Sequence, residues 1–294
     1  MGDFLKILVT TADGFIENRF LEYNEGKFNI QLINFQDIDK IESSVFESVD
    51  CVVHLAGKIQ DANCTDESVY NKVNVDVTKI LADKAKSAGV AQFVYLSSIK
   101  VYGECGSQIL NELSICNPTD AYGRSKLLAE EYLFSISNDF FKVAILRATM
   151  EFGPNSYGNL YRLIVLANKK TPLPFGGIFN KRSLVFVDNL IEYFNKIIEQ
   201  KSDGIFIAVD PEPISTTKML STIQLALFNN KKLFSIPLKI RKIINVLKPD
   251  IYNRLFGSLE FDNTYTIKKL NITIPYTTEY GILQTVKWYK SKHI

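Results

Sequence analysis

Histidine and cysteine are scarce: the 294 residues contain two and four of them. His54 and His293 are the only imidazoles, and Cys51, Cys64, Cys105 and Cys116 show neither paired nor metal-ligand spacing, so no metal site and no disulfide framework is expected. Reduced thiols in the cytoplasm are the expectation. A surplus of one charge is also lacking: 34 basic and 32 acidic residues leave a net charge of +2, with the two signs interspersed. That balance offers no general attraction to nucleic acid. No apolar run is long enough to cross a bilayer, so no integral membrane segment is expected. The chain enters a strand-like run directly after Asp3, without the basic, apolar and small-residue order of a secretory signal. There is no internal repeat and no low-complexity tract. What is present is ordinary for a globular protein: 46% hydrophobic and 22% charged residues, enough for one or two domains with a substantial core.

Apolar runs of strand length fall at 5–10, 28–35, 51–55, 92–97, 142–146 and 204–209, with helical patterns at 70–88, 121–137, 159–168 and 187–200. Strand alternating with helix predicts an α/β fold, a Rossmann-like doubly wound parallel sheet. After Met150 the order loosens around Gly153, Pro154, Pro172, Pro174, Gly176 and Gly177, as expected of loops that build a pocket. The division expected is a dinucleotide-binding domain over 1–150 with about 184–210, and a smaller mixed substrate domain over 151–183 and 211–294. The aromatics of 261–278 and Trp288 are expected in the core of that smaller domain.

The chemistry concentrates in Tyr122-Gly-Arg-Ser-Lys126, with Leu96-Ser97-Ser98 and Val101-Tyr102-Gly103 upstream. Residues four apart share a helix face, which sets Lys126 beside Tyr122. A tyrosine titrates at about 10, but a cation at about 4 Å and an effective dielectric of about 20 contributes roughly 4 kcal/mol, or about three pKa units. Tyr122 is therefore expected to titrate near neutrality, where a general acid/base works best, with Ser98 hydrogen-bonding the reacting oxygen. Ser98, Tyr122 and Lys126 are the candidate catalytic set.

The first strand, Ile7-Leu8-Val9, runs into Thr10-Thr11-Ala12-Asp13-Gly14-Phe15-Ile16-Glu17, a turn suited to delivering a dinucleotide phosphate to a helix N-terminus. This segment resembles the TGxxGFIG fingerprint of the extended short-chain dehydrogenase/reductases, the family of NAD-dependent nucleotide-sugar epimerases and dehydratases. The likeness continues in Asp50-Cys51-Val52-Val53-His54-Leu55-Ala56-Gly57, similar to DVVxHLAA, in Asn74-Val75-Asp76-Val77-Thr78, similar to NVxGT, and in the serine and Tyr-Lys segments. Beyond them, Leu146-Arg147, Gly153-Pro154, Gly158-Asn159-Leu160, Pro172-Leu173-Pro174-Phe175-Gly176, Lys181-Arg182-Ser183-Leu184-Val185 and Val187-Asp188-Asn189 resemble a bacterial UDP-glucose 4-epimerase-like subgroup, including UDP-N-acetylquinovosamine dehydrogenases that act as 4-keto reductases. The subgroup is associated with surface polysaccharide synthesis.

The resemblance implies a cytoplasmic homodimer, paired through 70–88 and 121–137, that acts on a UDP-sugar with NAD. Thr11, Gly14, Phe15, Ile16, Asn34, Leu55, Ala56 and Gly57, together with Tyr122 and Lys126, would hold the cofactor. Ser98, Asn159, Leu160, Arg182 and Arg254 would hold the substrate, a guanidinium fork suiting the diphosphate. Three departures stand out. Thr11 and Glu17 replace two of the fingerprint's glycines. If the first of these positions requires positive φ, Thr11 is strained by roughly 1–2 kcal/mol unless the loop is rebuilt. Glu17 at about 7 Å from a pyrophosphate opposes it by roughly 0.6–2.4 kcal/mol. Between 20 and 50 there is room for little more than one strand, and no acid stands at the end of 28–35, where Asn34 and Asp37 fall. The absence of an arginine there favours NAD, with NADP left open.

Ile99 and Lys100 stand where the family's dehydratases carry an acidic pair, which disfavours dehydration. Net reduction of a UDP-4-keto-hexose and 4-epimerisation remain. The weakened phosphate turn favours cofactor exchange and hence the reductase. A degenerate relative that binds a nucleotide sugar or a protein partner without catalysis is the alternative motivated by Thr11 and Glu17. The basic, apolar stretch 237–248 motivates a membrane-surface role.

Overall fold

The computed structural model describes residues 4–61, 64–103, 108–230, 232–237, 241 and 245–293, with only the backbone described at Asp37, Asp39, Pro249, Asp250, Ile251 and Arg254. Half of the stretch proposed for a membrane surface, and Cys105, lie outside the described residues, as do the side chains of Asp37 and Arg254. No helix among the described residues is long and apolar enough to cross a membrane.

Six strands form one all-parallel sheet: β1 (Lys6–Thr11), β2 (Asn29–Asn34), β3 (Cys51–His54), β4 (Gln92–Ser98), β6 (Lys142–Ala148) and β10 (Gly204–Ala208), ordered β10-β6-β4-β3-β1-β2. They are the six apolar runs read from the sequence. Side chains alternate between the faces of a strand, so Ile7, Val9, Val53, Val94, Leu96 and Leu146 enter one core, while Leu8, Val52, Phe93, Tyr95, Val143 and Ile145 enter another. Helices α1 (Phe15–Tyr23) and α6 (Val187–Glu199) cover the first face, and α3 (Val77–Ser87) with α4 (Ala121–Ile136) the second. Helix α5 (Asn159–Asn168), α7 (Thr216–Phe228) and the closing α10 (Thr278–His293) extend the first core. Trp288 packs against that core.

From β1 the chain crosses to β2 on one side, and from β2 it returns to β3 on the other. This reversal opens a crevice at the carboxyl ends of β1 and β3, the place where doubly wound sheets bind ligands. Beyond β2 there is no further strand in the sheet among the described residues. The segment that follows forms two short 3-10 turns, Phe35–Lys40 and Ser43–Phe46. Ile38 and Phe46 are buried under the second core, and Lys84 of α3 donates to the carbonyls of Ile38 at 3.1 Å and Ile41 at 2.9 Å.

The remaining strands are short and pair two by two: β7 (Met150–Phe152) with β9 (Leu184–Phe186), β8 (Leu173–Gly176) with β11 (Leu233–Ser235), and β5 (Ile109–Leu110) with β12 (Glu260–Phe261). They lie over the carboxyl side of the sheet's later strands and bring residues 150–186 next to 257–261.

Candidate active site

His54, at the end of β3, fixes the crevice floor. Its Nδ1 lies 2.7 Å from Thr10 Oγ1 and its Nε2 3.0 Å from Thr78 Oγ1. Thr78 donates to the Asn74 carbonyl at 2.7 Å, so it accepts from Nε2–H, which leaves Nδ1 to accept from Thr10. Burial lowers the pKa of this imidazole to about 3, keeping it neutral. Thr10 Oγ1 in turn accepts the backbone N–H groups of Leu55 at 3.1 Å and Ala56 at 3.2 Å, holding that loop against β1.

The loop's next residue, Gly57, lies under Asn74 and Lys126: a Cβ there would stand 3.0 Å from Asn74 Oδ1 and 3.4 Å from Lys126 Nζ. Only hydrogen fits without displacing one of them. Asn74 lies in a π turn, Asn71–Asp76, inserted between α2 (Glu67–Tyr70) and α3. Such turns concentrate at functional sites. Its side chain accepts the Lys58 amide at 2.8 Å and donates to the Lys58 carbonyl at 3.1 Å and to Ser125 Oγ at 2.9 Å. Asn74 was not among the expected site residues, although its NVDVT motif marked it.

Helix α4 begins at Asp120, whose carboxylate caps it by accepting the Gly123 amide at 2.7 Å. Its first turns carry Tyr122 and Lys126 to the end of β4, where Ser98 is 9% exposed. The Tyr122 phenol faces Ser98, which favours its ionised form, and its ring centroid lies 6.1 Å from that of Tyr70. Ser98, Tyr122 and Lys126 thus share the crevice. The expected acidification of Tyr122 does not occur. Burial pushes the phenol well above its ordinary value, Glu151 and Asp120 add to the rise, and Ser98 offsets only part of it. The Lys126 ammonium is directed elsewhere: it donates to the Leu96 carbonyl at 2.9 Å and lies 4.6 Å from the Tyr95 ring centroid.

Lys126 itself is pulled down to about 8 by burial, against the opposing pull of Glu151, Glu130 and Glu17. Glu151, on β7, is raised to about 7 by burial, with its backbone and Lys126 opposing. It is a second titratable group at the site that the sequence pattern did not mark. Glu130 is held by Arg147 through a buried ion pair of 2.6 Å, and it accepts from Ser97. Arg147 also donates to Tyr102 at 2.8 Å, locking β4, β6 and α4 together behind the catalytic groups.

At the turn after β1, the left-handed conformation falls on Asp13, with φ of 55°, and not on Thr11. Thr11 continues β1 in register with Asn34, and its hydroxyl accepts the Asp13 amide at 2.9 Å. The loop is rebuilt, so the strain expected at Thr11 is absent. Gly14 caps α1, and Phe15 and Ile16 are half-buried against the first core. Asn34 stands exposed at the end of β2, its side chain accepting the Gln36 amide at 2.9 Å.

The substrate candidates are less gathered. Asn159 is exposed at the start of α5, with its amide 3.6 Å from Met150 Sδ. Leu160, expected at the substrate, is a core residue at 2% exposure, because α5 turns its stripe of Leu160, Ile164 and Ala167 inwards. Arg182 donates to the Gly257 carbonyl at 3.1 Å, and burial lowers its pKa.

A parallel sheet with a switch-point crevice, lined by a serine, a tyrosine and a lysine in this arrangement, defines a nucleotide-dependent oxidoreductase site of the short-chain type. A family model described as the NAD dependent epimerase/dehydratase family matches residues 9–207, and the chain belongs to that family. It is 34% identical to the UDP-glucose 4-epimerase of Vibrio cholerae over 248 residues, covering 80% of this chain and 75% of that one. An N-acetyl-alpha-D-glucosaminyl-diphospho-ditrans,octacis-undecaprenol 4-epimerase of Escherichia coli O157:H7 is 24% identical over 321 residues, with 96% and 94% covered. The fold is that of the UDP-glucuronic acid 4-epimerase from Bacillus cereus solved in complex with NAD, at a TM-score of 0.78 and 19% identity over 98% of this chain and 100% of the other.

Membership makes the chain an NAD-dependent enzyme of the epimerase class. The residues fit a dinucleotide at the crevice: Gly57 leaves space beside Lys126 that a Cβ would fill, and Gly14 opens a helix whose first amides face the turn. Glu17 is the exception to that fit.

Proposed function

We propose that this chain is an NAD-dependent 4-epimerase of UDP-hexoses, working in the cytoplasm as a homodimer. The observation that carries the reading is the convergence of Ser98, Tyr122 and Lys126 on one crevice, with Ile99 and Lys100 in place of an acidic pair. The 4-epimerase relatives support it over net 4-keto reduction. Bound NAD would supply the acceptor for the hydride at C4. Tyr122, which must first release its own proton to solvent under the pull of the cationic Lys126 and of bound NAD, would as phenolate take the O4 proton and return it after the keto sugar has turned over, while Ser98 holds the sugar oxygen. Lys126, Tyr122, Gly57, Ala56 and Leu55 would hold the nicotinamide half, and Thr11, Gly14, Phe15, Ile16 and Asn34 the adenosine and phosphates. Asn159 and Arg182, with Arg254, would hold the UDP, from a substrate portion comprising 151–183 and 211–294.

Purified protein incubated with NAD and UDP-glucose or UDP-N-acetylglucosamine is expected to interconvert the sugar with its 4-epimer without net NADH formation. Tyr122→Phe is expected to reduce kcat by about 10²–10⁴. Stoichiometric consumption of NADH with a UDP-4-keto-hexose, and no epimer, would replace this reading with the reductase.

A further inference from the structure

We propose that the Glu17 carboxylate is the phosphate turn's own anion: it occupies the place at the N-terminus of α1 where a dinucleotide's pyrophosphate would be received, and thereby sets how tightly, and at which pH, NAD is held. The inference rests on the reading of the chain as an NAD-binding enzyme.

Glu17 follows Gly14 by nearly one helical turn, and its side chain folds back over that glycine. A Cβ added at Gly14 would meet Glu17 Cδ at 3.0 Å and Oε1 at 3.1 Å. The residue is 6% exposed although it carries a carboxylate. The backbone of Glu17 and of Ala12 favours its charged form, and both belong to the same turn that a phosphate would use. Gly14 itself supplies no side-chain cap, so the carboxylate takes that role from inside the helix. The charged groups that face it are Asp13 of the turn, a like charge, and Lys126 of α4. On the far side of α1, Arg19 is committed to Asp188 at 2.7 Å and Glu22 at 3.0 Å, and Tyr23 donates to Glu192 at 2.7 Å. Glu151 of β7 faces Lys126 from the other direction.

A pyrophosphate and this carboxylate compete for the same amides and repel each other. Binding of NAD therefore requires Glu17 to take up a proton or to swing out. Burial raises its pKa above that of a free carboxyl, which favours the protonated form. The sign follows: protonation removes the repulsion, so NAD binds more tightly as pH falls.

Calorimetric titration of the full chain with NAD, and with adenosine as a phosphate-free control, at pH 5.5 and 8 tests this. Glu17→Gln, which keeps the size and loses the charge, is expected to lower the NAD Kd about tenfold at pH 8. The gap should close at pH 5.5, and adenosine should bind all forms equally. If Glu17→Gln does not fold, Glu17→Ala, which also removes the carboxylate, is titrated in its place with the same expectation. NAD bound with the same Kd by both proteins at both pH values overturns the inference and leaves the proposed function intact. Binding by neither at millimolar NAD overturns both.

Discussion

At Lys126, desolvation and three carboxylates pull in opposite directions, and the balance leaves the ammonium titrating at about 8. A lysine that must be charged to act then gives a rate that falls as pH rises through about 8. Glu151 is the largest of the forces holding that proton on, so Glu151→Gln is expected to move the alkaline limb of the kcat/KM profile to lower pH. A profile unchanged in the variant would remove Glu151 from the site's electrostatics. The identities of Ser98, Tyr122 and Lys126 were legible because the motif fixes their spacing on a strand end and a helix. Their protonation was not. Tyr122 depends on water exclusion and on Glu151, which reaches the crevice only because β7 folds beside β9, and no sequence interval between 122 and 151 encodes that.

Among the elements, the six long strands were readable because a parallel sheet covered on both faces demands continuous apolar runs. The helices expected at 121–137, 159–168 and 187–200 end within a residue of where they were read, whereas the one expected over 70–88 is regular only from Val77. The two- to four-residue strands β5, β7, β8, β9, β11 and β12 carry too few side chains to show a period, and the π turn at Asn71–Asp76 leaves no mark in a helical pattern. Helix α4 is seated by a contact that its motif only hints at. A Cβ at Gly123 would lie 2.5 Å from the Lys100 carbonyl and 3.0 Å from Pro118 Cβ, so the helix can approach the Ile99–Tyr102 turn only without a side chain there. Gly123→Ala is expected to destabilise the protein by about 1–3 kcal/mol through overpacking. Thermal unfolding should show a Tm lower by several degrees, with kcat falling as Tyr122 shifts.

For the whole molecule, the predicted fold class and the curtailed second-strand region both correspond to the six-stranded sheet and its end at β2. The proposed dimer draws on Leu128 and Phe134, apolar side chains at 46% and 37% exposure on 121–137, one of the two helical segments expected to pair. Light scattering is expected to give twice 33.4 kDa, and a monomeric mass would exclude pairing.

Where a conventional doubly wound sheet would be screened by one more strand, β2 is the terminal one, and Leu32 on it is 46% exposed. Its outer row of amides and carbonyls is a ready template for an extended segment from another chain. Partial unfolding at this border would therefore direct misassembly to one side of the molecule.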